Sequence, residues 1–319
     1  MFMEIKRAVI EIQGSCNYSC SMCLQPNRPK AFLEKIPLGI YEGLIDQCVD
    51  LGVEVVQLDG SGECTLNKDL PLYIQYAASK NIKTQIFSNG FLMSDFLMED
   101  CVDAGLDLFR FSVIGYDEKS FMKMTNTNNF NVILENCIKM KEYIEKSDAK
   151  TEVLSYHLII DDVSEVELYR KNFIDVAQTQ AEIWKQHNWS GMIDVKTRSG
   201  VKKTCGRPFA PEITIRAGGI NGHRLAVHPC CQTLGRDEEA VLSHCDNQSI
   251  LEAFNSERYN WLREKHFQGD FDDVSFCKDC DFLYDDDSVL VWSNIPNKQR
   301  NKMIGLDFVL ERQKHDLIC

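Results

Sequence analysis

The stretch AVIEIQGSCNYSCSMC, residues 8–23, decides how the rest of the chain is read. AVIEIQG has the β-branched content of a strand and ends on a glycine. Cys16, Cys20 and Cys23 then follow in a loop. Three thiolates so close together can wrap one face of an iron–sulfur cubane. Three ligands to four irons leave one iron open to chelate a small molecule, as catalytic zinc keeps an open position. A closed zinc site takes four ligands, usually as two pairs, and fits this loop poorly.

Downstream, short β-rich runs alternate with helical patterns. Strands are expected at 53–60, 82–90, 106–115 and 151–160, and AEIW (181–184) is a candidate sixth. Between them Ile40, Leu44, Ile45, Cys48, Val49 and Leu51 recur at helical spacing. Helices are also expected at 70–79, 94–104, 130–144 and 165–178. Ser94 is placed to cap one of these and Gly105 to stop it. Six βα units imply a parallel sheet, either open or rolled into a partial barrel, with the active site on the loops after the strands. Those loops hold residues 14–23, 59–63, 88–90 and 112–115. From 200 to 280 the chain turns rich in Cys, Gly, Pro and His, with one helix expected near 249–266. The boundaries expected are 1–195, 196–285 and a polar, partly disordered tail, 286–319.

Composition narrows the function class. The chain has 319 residues, 44% of them hydrophobic, with 35 Lys plus Arg against 48 Asp plus Glu and a formal charge of −13. Nucleic-acid binding depends on counterion release by Lys and Arg, so neither a nucleic acid nor an anionic membrane surface is an expected partner. No apolar run approaches the ~18 residues of a membrane span, and no signal peptide is evident. A cytoplasmic location is therefore expected. Fourteen cysteines in such a setting point to metal or redox chemistry rather than disulfides.

The spacing C-x3-C-x2-C at Cys16, Cys20 and Cys23 resembles the radical S-adenosylmethionine (SAM) superfamily. The resemblance implies a partial (β/α)6 TIM-like barrel and a catalytic [4Fe–4S] cluster on these cysteines. The open iron would bind SAM, and reductive cleavage would give a 5′-deoxyadenosyl radical that abstracts a substrate hydrogen. An external electron donor such as flavodoxin or ferredoxin is implied with it. Met22, just before the third cysteine, would pack beside the adenine; Met is polarizable and suits ring contacts. Asp59-Gly60-Ser61-Gly62-Glu63 resembles the family's Gly-Gly-Glu motif. There Gly60 and Gly62 would allow close backbone approach, and Glu63 would pair the SAM ammonium. Cys64 stands where the family often has Pro. Ser88, Asn89 and, more weakly, Ser112 would meet the SAM carboxylate or ribose. A plain Asn-Gly turn is the competing reading of residues 88–90. The family's strand-five adenine motif is not evident in SYHLIIDD (155–162).

CGRPF (205–209), HPCC (228–231), the Ile250-x4-Asn255-Ser256 pattern and CKDC (277–280) together resemble the SPASM/twitch extension of that superfamily. The resemblance covers about residues 5–285. It implies an auxiliary [4Fe–4S] cluster on Cys205, Cys230, Cys277 and Cys280, with Cys231 the rival of Cys230. The next cysteine is Cys319, so ligands for a further cluster are lacking. A four-cysteine zinc site is the alternative.

A closed auxiliary cluster suits an oxidation: the adenosyl radical takes a hydrogen from a carbon bearing oxygen, a base takes the hydroxyl proton, and the cluster accepts the electron. Aminocyclitol dehydrogenases of the twitch group look like this. Arg110, Tyr156 and His157 are the candidate bases, and alternation puts Arg110 and Ser112 on one face of their strand. Three other readings are weighed. A peptide-modifying maturase often carries an N-terminal peptide-binding domain, for which no room precedes Cys16. A radical epimerase would use Cys64, Cys101, Cys137 or Cys245 as hydrogen donor. A non-enzymatic zinc or iron–sulfur module would not cleave SAM.

Overall fold

The computed structural model describes residues 3–195, 202–284 and 289–296. Six strands form the expected series: β1 (Arg7–Ile10), β2 (Val55–Gln57), β3 (Lys83–Ser88), β4 (Leu108–Ser112), β5 (Glu152–Leu158) and β6 (Gln180–Trp184). Each pairs in parallel with the next. Helices α1 (Leu38–Asp50), α2 (Leu70–Ser79), α3 (Asp95–Asp103), α4 (Glu118–Thr125), α5 (Phe130–Ser147) and α6 (Glu165–Arg170) lie between them. This is a partial TIM-like barrel. The expected caps of α3 are present: Ser94 Oγ accepts from the Leu97 amide at 3.3 Å, and Gly105 follows at φ +95°. The expected helix 165–178 is α6 followed by a wider π turn at Lys171–Val176.

Alternation sets which side chains face where. On β4, Phe109 and Phe111 are fully buried and their rings stand 4.4 Å apart, on the helix side. Arg110 and Ser112 are half-buried and share the opposite, inward face. On β5, Val153, Ser155 and His157 take the helix side, and Leu154, Tyr156 and Leu158 the interior.

Three further strands extend the sheet past β1: β7 (Glu212–Ala217), parallel to β1, then β8 (Leu225–His228) and β9 (Ser243–His244), both antiparallel. At the other edge β10 (Leu290–Ser293) pairs antiparallel with β6, inside the stretch expected to be a polar, partly disordered tail. Cys319 and the rest of that tail past residue 296 lie outside the described residues. The single helix expected at 249–266 is two helices, α7 (Ile250–Phe254) and α8 (Glu257–Gln268). Ser249 caps the first in a reciprocal box with Glu252. Ser256 opens the second by accepting from the Tyr259 amide at 3.3 Å, so the Asn255-Ser256 pair is a junction. Among the described residues no helix is long and apolar enough to cross a membrane.

Candidate active site between two cysteine groups

The cysteine loop leaves β1 and is held from several sides. The Gly14 amide donates to Glu34 O at 2.8 Å, and a Cβ at Gly14 would lie 2.2 Å from Phe32 O. The Ser21 amide donates to Met124 O at 2.7 Å, Asn126 Nδ2 to Ser19 O at 2.6 Å, and Asn129 Nδ2 to the Tyr18 hydroxyl at 3.0 Å. The α4 end, which the sequence reading missed, therefore clamps the loop. Cys16, Cys20 and Cys23 are all half-buried. Cys20 feels the charge of both other thiols, and burial pushes it up to about 12. Burial and its neighbours push Cys16 up to about 11. Burial also raises Cys23, opposed in part by the Arg28 cation. Three converging sulfurs held this way are stable as thiols, or as thiolates where positive metal compensates them. This donor set fits an iron–sulfur cubane.

The loops after β2 and β3 join this one. The Glu63 amide donates to Ser15 O at 2.8 Å. A Cβ on Gly62 would lie 2.1 Å from Gln13 O, and one on Gly60 would meet the Glu11 side chain at 2.3 Å. Both glycines are thus required for close approach within the chain itself. Glu63 is buried. Its Oε1 accepts from the Thr65 amide (3.1 Å), Thr65 Oγ1 (2.6 Å) and Ser88 Oγ (2.6 Å), and its Oε2 from the Asn89 amide (2.8 Å). Asn89 Nδ2 reaches Asn17 Oδ1, between the cysteines, at 2.8 Å. The structure therefore brings Cys16, Cys20, Cys23, Gly62, Glu63, Ser88 and Asn89 into one junction. Ser112 ends β4 in register with Tyr156. Met22 packs with Ile114, Met124, Leu158, Ile160, Tyr156 and Trp184 in a small apolar cluster at the ends of β4, β5 and β6. The Met22 carbonyl accepts from Trp189 Nε1 at 2.7 Å.

The interior below carries charge. Asp59 is buried, and its Oδ2 accepts from Gln57 Nε2 at 2.8 Å. Its Oδ1 has no hydrogen-bond partner among the described residues, nor has Arg110 Nε. Burial pushes Asp59 up to about 7, against the pull of Arg110 and Arg7. Tyr156 pairs in register with Glu182 of β6. Burial is the largest cause raising its hydroxyl pKa, followed by the charges of Glu182 and Cys231, while Arg207 and Arg110 oppose them. His157 does not belong to this set. It faces the helices, fully buried, with Nε2 3.0 Å from Glu165 Oε2 and its ring stacked on Tyr169 at 4.7 Å. Neighbours on a strand take opposite faces, so Tyr156 and His157 could not both point inward. Asp59 and Glu182 were absent from the sequence candidates. The alternation Val55, Gln57, Asp59 against Val56, Leu58 was the available signal.

The second cysteine group gathers on the far side. Cys277 feels the charges of Cys205, Cys280 and Cys230, and Cys280 those of Cys205 and Cys230. Burial pushes Cys230 up to about 12 and raises Cys277 and Cys280. Phe271, Phe282 and Leu283 pack with Cys205 and Cys280. Cys231 is exposed; it acts on Tyr156 and on Cys230. Among the described residues no three His, Cys, Asp or Glu side chains converge tightly enough for one metal ion. A cubane holds its thiolates wider apart than a single ion does. Cys64, Cys101, Cys137 and Cys245 are core residues, between 0% and 7% exposed.

Residues 10–168 match the family model of the radical SAM superfamily. The chain belongs to the radical SAM superfamily. Residues 220–281 match the model of the SPASM iron–sulfur cluster-binding domain. This radical SAM enzyme accordingly uses a [4Fe–4S] cluster and SAM, with an auxiliary iron–sulfur cluster in its SPASM region. It is 28% identical over 200 residues to the GTP 3′,8-cyclase of Psychromonas ingrahamii, which covers 57% of this chain and 56% of the relative. It is 29% identical over 110 residues to the PqqA peptide cyclase of Rhizobium meliloti, covering 34% of this chain and 29% of the relative. The chain thus spans about half the length of the first and under a third of the second. Among solved structures, BtrN in complex with AdoMet and 2-DOIA shares the fold at TM-score 0.61 and 15% identity, covering 96% of this chain and 99% of that one. Streptococcus suis SuiB bound to precursor peptide SuiA shares it at TM-score 0.65 and 13% identity, covering 88% and 70%.

Proposed function

We propose that the enzyme oxidises an alcohol carbon of a small polar substrate of sugar or aminocyclitol type. In this reading Cys16, Cys20 and Cys23 hold the SAM-binding cluster, and Cys205, Cys230, Cys277 and Cys280 hold a closed auxiliary cluster. Residues 1–195 would form the barrel unit and 196–285 the auxiliary unit. When bound, these groups supply a hydrogen-abstracting radical and an acceptor for the electron that alcohol oxidation releases. The observation that carries the reading is the inward-facing polar set Asp59, Arg110, Tyr156 and Glu182, next to Cys231 of the second group. It favours a hydroxylated, polar substrate between the two cysteine groups. BtrN, solved in complex with AdoMet and 2-DOIA, is matched over nearly its whole length, whereas SuiB with its peptide is matched over 70%.

The chain's own residues divide the work. Glu63 positions Ser88 and Asn89 beside the cysteine loop; three of its hydrogen bonds fall on Oε1, and Oε2, which accepts from the Asn89 amide, keeps an acceptor site for the SAM ammonium. Asn89 and Ser112 are further polar groups for SAM, and the apolar cluster around Met22 suits its adenine. Arg110 carries a guanidinium, a set of donors with no acceptor site, and orients an oxygen rather than taking its proton. Tyr156, held protonated by burial, is a hydrogen-bond donor. The base is therefore Asp59, whose unpartnered oxygen and raised pKa suit proton transfer near neutrality.

Two measurements test this. Reduced holoenzyme given SAM and a panel of polyhydroxylated amines, 2-DOIA among them, should form 5′-deoxyadenosine and a product two hydrogens lighter. The rate should climb with pH through about 7, because the base works ionised. Asp59→Asn should cut turnover by roughly 10²–10⁴ and flatten that rise. Turnover of a peptide but of no alcohol in the panel would favour the maturase reading. No SAM cleavage at all would sink both.

A further inference from the structure

Four ionic side chains run in an unbroken row between the two cysteine groups. Glu11 Oε1 lies 2.8 Å from Arg28 Nη1, Arg28 Nε 2.8 Å from Asp237 Oδ1, and Arg216 Nη1 2.9 Å from the same Asp237 oxygen. None of these side chains is more than 1% exposed. At one end the row grips the SAM side: Glu11 Oε2 accepts from the Ser61 amide, and Arg28 Nη1 donates to Gly14 O at 3.2 Å. The Arg28 cation also acts on Cys23. At the other end Arg216 Nη2 donates to the carbonyls of Cys230 (3.3 Å) and Cys231 (3.2 Å) and to Thr233 Oγ1 (3.4 Å). Glu11, just past the end of β1, lies beside β7, which carries Arg216, since the Glu11 amide donates to Ile215 O at 2.8 Å.

Such a row is a poor way to gain stability. Apolar residues of the same volume often hold a core as well, because ions lose their hydration on burial. What its ion pairs and hydrogen bonds do provide is a fixed geometry. Here it fixes two turns that lie some two hundred residues apart in the sequence.

We propose that the Glu11–Arg28–Asp237–Arg216 row is a positioning device that locks the Cys230 turn to the loop of Cys16, Cys20 and Cys23 and couples the charge of the two. The proposal rests on the reading that both cysteine groups hold iron–sulfur clusters. Net charge and hydrogen bonding around a cluster set its potential. A nearby cation favours the reduced form, and an anion opposes it. Loss of Arg28 should therefore make the SAM-side cluster harder to reduce, and loss of Asp237 should make it easier. Packing alone would not give opposite signs.

The test uses anaerobically reconstituted full-length protein. The cluster on the SAM side is the one whose electron paramagnetic resonance signal changes when SAM is added, and its midpoint potential is titrated in each variant. Asp237→Asn should raise it and Arg28→Gln should lower it, each with wild-type iron content. If Arg28→Gln does not fold, Asp237→Asn and Glu11→Gln, each removing one anion, should both raise it. Potentials unchanged from wild type, or Asp237→Asn and Arg28→Gln shifting the same way, overturn the proposal. A wild-type chain that takes up no iron, or gives no SAM-responsive signal, would instead overturn the functional reading beneath it.

Discussion

Glu63→Ala should cut SAM cleavage by about 10–100-fold and loosen the whole junction of loops. The Glu63 carboxylate is buried and is the common acceptor for Thr65, Ser88 and Asn89. Truncation leaves four donors facing an empty space. A buried donor without a partner costs about 1–3 kcal/mol. Even with relaxation, a total loss of roughly 3 kcal/mol or more is expected, read as a lower urea midpoint. The chemistry should suffer along with the fold. Asn89 is tied to Asn17 inside the cysteine loop, so its displacement moves a SAM-side group and a cysteine-bearing loop together. Loss of a supporting contact of this kind costs about 10–100-fold in metal affinity or activity. Glu63→Gln separates the parts. Its carbonyl oxygen can still serve Thr65 and Ser88, but its NH2 would face the Asn89 amide, donor against donor. It should fold nearly as well as wild type and cleave SAM at an intermediate rate. Wild-type 5′-deoxyadenosine formation by Glu63→Ala would remove Glu63 from the site altogether.

Much of this junction was legible in the sequence, because strand alternation and the glycines of 60–62 are local signals. The βα series was legible for the same reason: each strand and helix carries its own period, and α2 has the bounds expected for it. The Asn255-Ser256 break was harder to read, since the apolar pattern continues across it and only the Ser256 cap interrupts it. His157 was misplaced because a candidate base was chosen by residue type before strand parity was applied. The Glu11–Arg28–Asp237–Arg216 row was not legible. Its members are spread over more than two hundred residues, and no local period marks a charge whose partner comes from another segment. Strand β10 was hidden by the acidic run before it, and its pairing with β6 is set by tertiary contact rather than by propensity.

Separating the two cysteine groups by mutation gives the second large effect. A triple variant with Cys16, Cys20 and Cys23 changed to Ala should retain about four irons per chain, one [4Fe–4S] cluster, and form no 5′-deoxyadenosine. The second group has its own four thiols and its own apolar wrapping by Phe271, Phe282 and Leu283, so it should fill independently. Cys230→Ala in the otherwise intact chain should also bring iron down to about four, while leaving SAM cleavage measurable and substrate oxidation lost. Cys231→Ala is the control. Cys231 is exposed, whereas the charges of Cys205 and Cys230 both reach Cys277 and Cys280. It should keep about eight irons, two cubanes. The reverse pattern, with iron lost at Cys231→Ala and kept at Cys230→Ala, would exchange the two ligands. It would also turn the turn bearing them over, because adjacent residues in extended backbone point to opposite sides. A cluster bound through Cys231 would then lie on the Tyr156 side, where that cysteine's charge is already felt. The outcome therefore decides more than a ligand: it decides whether the auxiliary cluster stands behind the wall of the substrate chamber or forms part of it.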